Sequence, residues 1–150
     1  MSSKTETILR PRVAVNRDTR FFWDGLKQGK LLIQKCSQCG ELRHPPGPMC
    51  PKCNSLKWET LESSGKGIIL SFVKMHHPAL PAFDKPNPIG LIELAEGTRL
   101  VGGLIGFESN KVASNLKIEK EIKIDQLVEA VITKCDEELN LVLFRPREIN

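Results

Sequence analysis

Two pairs of cysteines, Cys36-Ser-Gln-Cys39 and Cys50-Pro-Lys-Cys53, are separated by ten residues, Gly40 to Met49. Two residues between thiolates let one tight turn aim both sulfurs at a single ion, with the turn amides free to bond them. Zinc takes four soft ligands in a tetrahedron, so Cys36, Cys39, Cys50 and Cys53 are expected to hold one zinc between two knuckles. Gly40 and Asn54 follow the two pairs, where the chain must take positive φ, and Pro51 fixes φ inside the second turn. Four protein ligands leave no open position for water or substrate, which makes the zinc structural rather than catalytic. A disulfide pairing would need an oxidising compartment, and the first thirty residues hold no apolar core long enough for a signal peptide. A redox dithiol would use only one pair.

The remaining reactive side chains do not form a set. Cys135 closes the run Val131-Ile132-Thr133-Lys134-Cys135 and is expected to be a small buried hydrophobe, with no His or Asn nearby in sequence to activate it. His76 and His77 adjoin a proline-rich loop from Pro78 to Pro88. Adjacent residues point apart in an extended chain, so the two cannot readily serve one site, and a base also needs a group to orient it. His44, inside the ribbon, is expected to pack. The chain has no Gly-x-Ser-x-Gly, no Gly-x-x-x-x-Gly-Lys phosphate loop and no His-Glu-x-x-His. No catalytic residues are assigned, and no enzymatic activity is expected of the chain alone.

The elements that must position the cysteines follow from the rest of the pattern. The 150 residues, 40% hydrophobic and 27% charged, suit one compact domain or two very small ones. No apolar run approaches the length of a membrane span and nothing resembles a lipidation signal, so a cytoplasmic protein without a membrane partner is expected. The net charge of +4 hides an asymmetry. Residues 1–54 carry ten Lys and Arg against four Asp and Glu, whereas residues 55–150 carry twelve against fourteen. An anionic partner should therefore meet the front of the chain, where Arg17 and Arg20 lie.

The first fifteen residues read as an arm that is ordered only if something holds it. A helix follows, capped by Asp18 or Thr19 and stopped at Gly29. Phe21, Phe22 and Trp23 are three of the eight aromatic residues in the protein, on a helix too short to have its own core. They must pack on the ribbon or anchor a partner subunit. Leu31 to Lys35 and Leu42 to His44 make the first knuckle a hairpin tip.

Beyond the ribbon come strands: 57–61, 68–73, 89–94, 99–105, 126–133 and 139–144. The turn Ala95-Glu96-Gly97-Thr98 makes a hairpin of the third and fourth of these runs, and Gly102-Gly103 permits a bend. Five or so strands with one long connection indicate a small closed barrel of the OB type. The expected fold is mainly β: an arm and helix at 1–30, a zinc ribbon at 31–56 and a five-stranded OB-fold at 57–150.

The order of Phe22-Trp23-Asp24-Gly25-Leu26, Gly29-Lys30-Leu31, the four-cysteine ribbon with Pro45-Pro46, Ser64-Gly65-Lys66-Gly67 and Glu96-Gly97-Thr98-Arg99-Leu100 resembles one family over nearly the whole chain. It is the acyl-CoA-associated family of unknown-function domains, built from an N-terminal helix, a rubredoxin-like zinc ribbon and an OB-fold. Phe144-Arg145-Pro146 resembles the family's ending, while Ile124-Asp125-Gln126-Leu127-Val128 lacks the glycine often found there. The resemblance implies a companion subunit of a thiolase-fold enzyme. Examples are archaeal acetoacetyl-CoA thiolase with hydroxymethylglutaryl-CoA synthase, and bacterial aldolases that shorten steroid side chains.

On that expectation the thiolase-like chain supplies the chemistry, and this one supports assembly and CoA-thioester binding. Phe21, Phe22 and Trp23 would lie at the partner interface, with Arg17 and Arg20 near the CoA phosphates. The alternative is a nucleic-acid-binding zinc-ribbon and OB-fold protein. It is disfavoured because single-strand binding needs a basic groove interleaved with aromatics, whereas residues 55–150 are net acidic and contain no Tyr. No nucleic-acid partner is therefore expected.

Overall fold

A computed structural model describes residues 10–78, 81–83, 87–106 and 122–147. Helix α1, Arg20–Lys27, buries Phe22, Gly25 and Leu26, the i, i+3 and i+4 positions of one face. Gly25 lets that face approach closely, since a Cβ there would lie 2.9 Å from the Leu32 side chain.

Helix α1 starts where expected, at Thr19, but it is not capped in the expected way. Thr19 is the N-cap but makes no side-chain cap bond, and Asp18 does not cap either. Asn16 Oδ1 instead accepts from the amides of Asp18 and Thr19, while its own amide donates to Thr19 Oγ1 at 3.1 Å. A short amide side chain two residues ahead folds the turn that leads into the helix. The end is as expected. Gly29 takes φ 75, its amide donates to Leu26 O and that of Lys30 to Gly25 O, which satisfies two terminal carbonyls.

Strands β1 (Leu32–Cys36), β2 (Leu42–Arg43) and β3 (Trp58–Glu62) form an antiparallel sheet in the order β2-β1-β3. Leu32 faces Glu62 and Cys36 faces Trp58, so β3 is paired with the ribbon strand and not with the barrel. By hydrogen bonding the ribbon sheet thus reaches Glu62, past residue 56, where the sequence boundary was drawn. The pairing depends on a partner strand more than twenty residues back, which local pattern does not reveal.

The barrel comprises β4 (Lys66–Met75), β5 (Asn87–Leu94), β6 (Arg99–Leu104), β7 (Leu127–Lys134) and β8 (Asn140–Pro146). It closes in the order β4-β5-β6-β8-β7, with β7 returning to β4. The β6–β8 contact is parallel and the others antiparallel, the arrangement of an OB-fold. A register shift between Ile69 and Ser71 bends β4 so that it pairs with β5 on one side and β7 on the other.

Ile69, Ile92, Leu94, Leu100, Leu104, Val128 and Phe144 fill the interior. Phe144 lies against the bare backbone of Gly102, where a Cβ would come within 2.8 Å of its ring. In the stretch that departs from the family pattern, Asp125 itself takes φ 62, the conformation a glycine would supply, and its amide bonds Ile69 O.

Helix, ribbon and barrel share one core, in which Phe22, Leu26, Leu31 and Ile33 join the barrel residues. Asn140 Nδ2 donates to Leu26 O at 3.0 Å and ties α1 to β8. The described part of the arm is held as well: Arg12 Nη1 donates to both carboxylate oxygens of Asp136, at 2.9 and 2.8 Å, and the Arg10 guanidinium lies 4.8 Å from the Phe83 ring centroid. The first nine residues, the whole charged stretch from Glu108 to Lys120 and parts of the Pro78 to Pro88 loop lie outside the described residues. Among the described residues no helix is long and apolar enough to cross a membrane.

Candidate metal centre and junction cleft

The two knuckles are near-copies of each other. Gly40 N donates to Cys36 O and Cys36 N to Glu41 O; likewise Asn54 N donates to Cys50 O and Cys50 N to Ser55 O. Gly40 and Asn54 take φ 75 and 61, so each turn ends in the left-handed conformation that the sequence predicts. The four sulfurs lie within 4.8 Å of one another, with Cys36 to Cys53 at 3.6 Å and Cys39 to Cys50 at 3.5 Å. Zinc–sulfur bonds of about 2.3 Å give tetrahedral edges of about 3.8 Å, so these positions fit the ion.

Cys36 and Cys50 are buried, and Cys39 and Cys53 face outward. The amides of Cys39 and Gln38 draw the Cys36 thiol down to about 6, and those of Cys53 and Lys52 lower Cys50. Cys39 is pulled down by the Glu41 amide but pushed up further by burial and the neighbouring sulfurs, ending at about 12. Protons alone therefore divide the cluster into two sulfurs that favour the thiolate and two that do not. A dication stabilises all four thiolates, and the site is a structural zinc centre.

The aromatic residues of α1 do not share one role. Phe22 is buried, with its ring 5.0 Å from His44 and edge-on to Trp23 at 5.1 Å, so it belongs to the chain's own core and offers no free face to a partner. Phe21 packs on Trp58 of β3 at 4.9 Å. Phe21 and Trp23 are half-buried, which leaves their outer edges accessible. Arg17 and Arg20 are exposed and form no ion pair with any described residue.

His76 and His77 are exposed just beyond β4, and the structure brings them to no other candidate residue among those described. Cys135 is also exposed, contrary to its expected burial, because the chain leaves the barrel after Lys134 and turns into solvent. His44 packs as expected, and burial pushes it down to about 4, so its imidazole is neutral at physiological pH.

A cleft of about 370 Å³ opens where the three parts meet. Phe22, Trp23 and Leu26 of α1 wall one side, His44, Pro45 and Pro46 another, and the outer face of β5, β6 and β8 forms the floor. Its lining is mostly apolar, with Arg10 among the few polar groups. The ribbon wall is braced from beneath by Gln34, which is fully buried. Its Oε1 accepts from Arg43 Nε at 2.8 Å and from Gly47 N at 2.9 Å, and Arg43 Nη2 donates to Gly47 O. Sequence reasoning missed this clamp; the available signal was one glutamine in the otherwise apolar run Leu31-Leu32-Ile33-Gln34.

The barrel floor continues into an exposed aliphatic face. Val73 lies opposite Ile89, and Leu91 opposite Val101, which is 64% exposed. In an OB-fold this sheet and its adjoining loops carry the ligand face. Here the named positions are aliphatic where a single-strand binder needs cations and stacking rings.

Fold and site together define a protein made of a rubredoxin-like zinc ribbon and an OB-fold, joined through a short helix. Two family profiles match it: "ChsH2, rubredoxin-like zinc ribbon domain" over residues 23–59 and "ChsH2, C-terminal OB-fold domain" over residues 61–133. A solved chain of "Ltp2-ChsH2(DUF35) aldolase" is 44% identical with a TM-score of 0.77, covering 90% of this chain and 98% of that one. The chain belongs to the DUF35 family, in its ChsH2 form.

A probable enoyl-CoA hydratase alpha subunit of Thermomonospora curvata is 45% identical over 138 residues, which are 92% of this chain and 40% of that protein. The 3-oxo-4,17-pregnadiene-20-carboxyl-CoA hydratase alpha subunit of Mycobacterium tuberculosis is 40% identical over 113 residues, 75% of this chain and 35% of that protein. The chain thus spans well under half the length of these two relatives.

Proposed function

We propose that the chain is a non-catalytic companion subunit of a thiolase-fold enzyme acting on acyl-CoA, in steroid side-chain degradation or a related acyl transfer. The observation that carries this reading is the likeness along nearly the whole of a solved chain of "Ltp2-ChsH2(DUF35) aldolase". Two relatives named as alpha subunits support membership of an assembly. A zinc saturated by four cysteines supports a structural role, since it leaves no coordination position for chemistry.

In the proposed assembly, which is cytoplasmic, the accessible edges of Phe21 and Trp23 and the aliphatic face around Val73 and Val101 pack on the enzyme. Arg17 and Arg20 lie near the CoA phosphates. The purified chain alone should not turn over CoA thioesters, and turnover should appear when a thiolase-fold subunit is co-purified with it. Metal-dependent or His76-dependent turnover by the lone chain would overturn the reading.

Truncating a buried aromatic anchor typically costs about 2 kcal/mol or more in an interface. Trp23→Ala is therefore expected to weaken assembly by roughly 30-fold while zinc content and barrel melting are kept. Arg20→Ala should leave assembly intact and raise the KM for the thioester, more so at low ionic strength, where phosphate contacts are least screened. Unchanged assembly of Trp23→Ala would move the interface onto the barrel.

A further inference from the structure

His44 stands out among the groups lining the junction cleft. The ring lines the cleft, yet its Nδ1 is buried with no hydrogen-bond partner. No hydrogen bond engages Nε2 either, and Nε2 is not among the buried unpaired atoms, so it sits on the accessible side of the ring. Leaving an N–H dry and unpaired is costlier than leaving a lone pair so, because orphaned buried donors are the rarer of the two. The single proton of the neutral ring therefore resides on Nε2.

The cleft thus offers an apolar trough, one neutral N–H donor in its wall and one cation, Arg10, held over the Phe83 ring. Its volume lies at the lower end of the range for small-molecule sites, about 300–1,000 Å³. We propose that the junction cleft binds an apolar ligand carrying a carbonyl oxygen, and that His44 Nε2–H is the specificity-determining donor to that oxygen. Resting on the companion-subunit reading, the ligand is the end of the acyl group remote from the thioester, since the thiolase-fold chain holds the reacting atoms. The neutral donor accounts for why a histidine stands where a phenylalanine would pack as well on Phe22: only the histidine can distinguish a carbonyl from a hydrocarbon.

The test uses the full zinc-loaded chain carrying Trp58→Phe, so that Trp23 in the cleft wall is the sole tryptophan reporter. Progesterone, an apolar ring system with ketone oxygens, and pregnane, the same skeleton without them, are titrated against Trp23 fluorescence. Progesterone should bind more tightly than pregnane. His44→Phe, which keeps the ring contact and removes the unpaired nitrogen, should weaken progesterone about tenfold and leave pregnane and melting temperature unchanged.

His44→Gln should restore part of the preference, its amide nitrogen standing in for Nε2. Val101→Phe, at an exposed position on the cleft floor, should block both probes without touching the core or adding a tryptophan. Equal progesterone affinity in wild type and His44→Phe would overturn the proposal, as would no binding to the wild-type chain. A chain that binds as described but assembles with no thiolase-fold enzyme would keep this inference and overturn the companion reading. Assembly without probe binding would do the reverse.

Discussion

Cys50→Ser will lose the zinc and unfold the ribbon while the barrel remains closed. Cys50 is fully buried, and its backbone makes both bonds that shape the second knuckle, so serine removes a ligand from the least tolerant corner of the site. Metal binding to so small a ribbon is folding free energy, of order 10 kcal/mol or more, and far exceeds what a three-stranded sheet retains without it. The loss spreads to α1, because Phe21 rests on Trp58 and Phe22 on His44, both in the ribbon. The barrel closes through β4 to β8 without any ribbon strand and should keep a melting transition, at a lower temperature because Phe22, Leu26, Leu31 and Ile33 leave the shared core. Elemental analysis should give one zinc per wild-type chain and none for the variant, with proteolysis cutting between residues 30 and 56. Metal retained together with a protease-resistant ribbon would refute the assignment.

Gln34→Leu is expected to destabilise the ribbon by about 3 kcal/mol, despite replacing a polar residue in an apolar strand by an aliphatic one of similar size. Arg43 is 9% exposed and faces no carboxylate among the described residues, so Gln34 Oε1 and Gly47 O are its acceptors. Removing that oxygen leaves a buried guanidinium and the Gly47 amide short of partners. Because the same oxygen anchors both ends of the segment Arg43 to Gly47, the cleft wall bearing His44 should loosen in step. Denaturant unfolding followed by Trp58, with hydrogen exchange at Gly47, measures both effects. The double variant Gln34→Leu, Arg43→Leu should recover much of the loss, since the unpaired charge is then gone. Equal stability of Gln34→Leu and wild type would show that water replaces the clamp.

The arm and the helix show how far local reasoning carries. Gly29 stops α1 as expected, because a glycine at positive φ is a local requirement of the terminal carbonyls. Thr19 is the N-cap within the expected pair, but the side chain that organises the turn is Asn16, since several short polar side chains compete there and only the folded turn selects one. Cys135 was misjudged for a different reason: apolar neighbours predict burial only while the strand stays in the sheet, and β7 ends one residue earlier.

The chain by itself determined the zinc centre, the number and type of the elements and the OB class of the barrel. Each rests on short-range chemistry: two residues between thiolates, glycine where φ must be positive, and alternation broken by turns. Only the tertiary structure decided that β3 joins the ribbon sheet, that Phe22 is core while Phe21 and Trp23 keep an accessible edge, and that Gln34 clamps Arg43. The cleft was decided there too, because Leu26, His44, Val101 and Leu143 are scattered along the chain and become neighbours only when helix, ribbon and barrel bury a common core. Spacing encodes what one turn can do; which side chains face one another across three packed elements depends on long-range contacts that no short window of sequence contains.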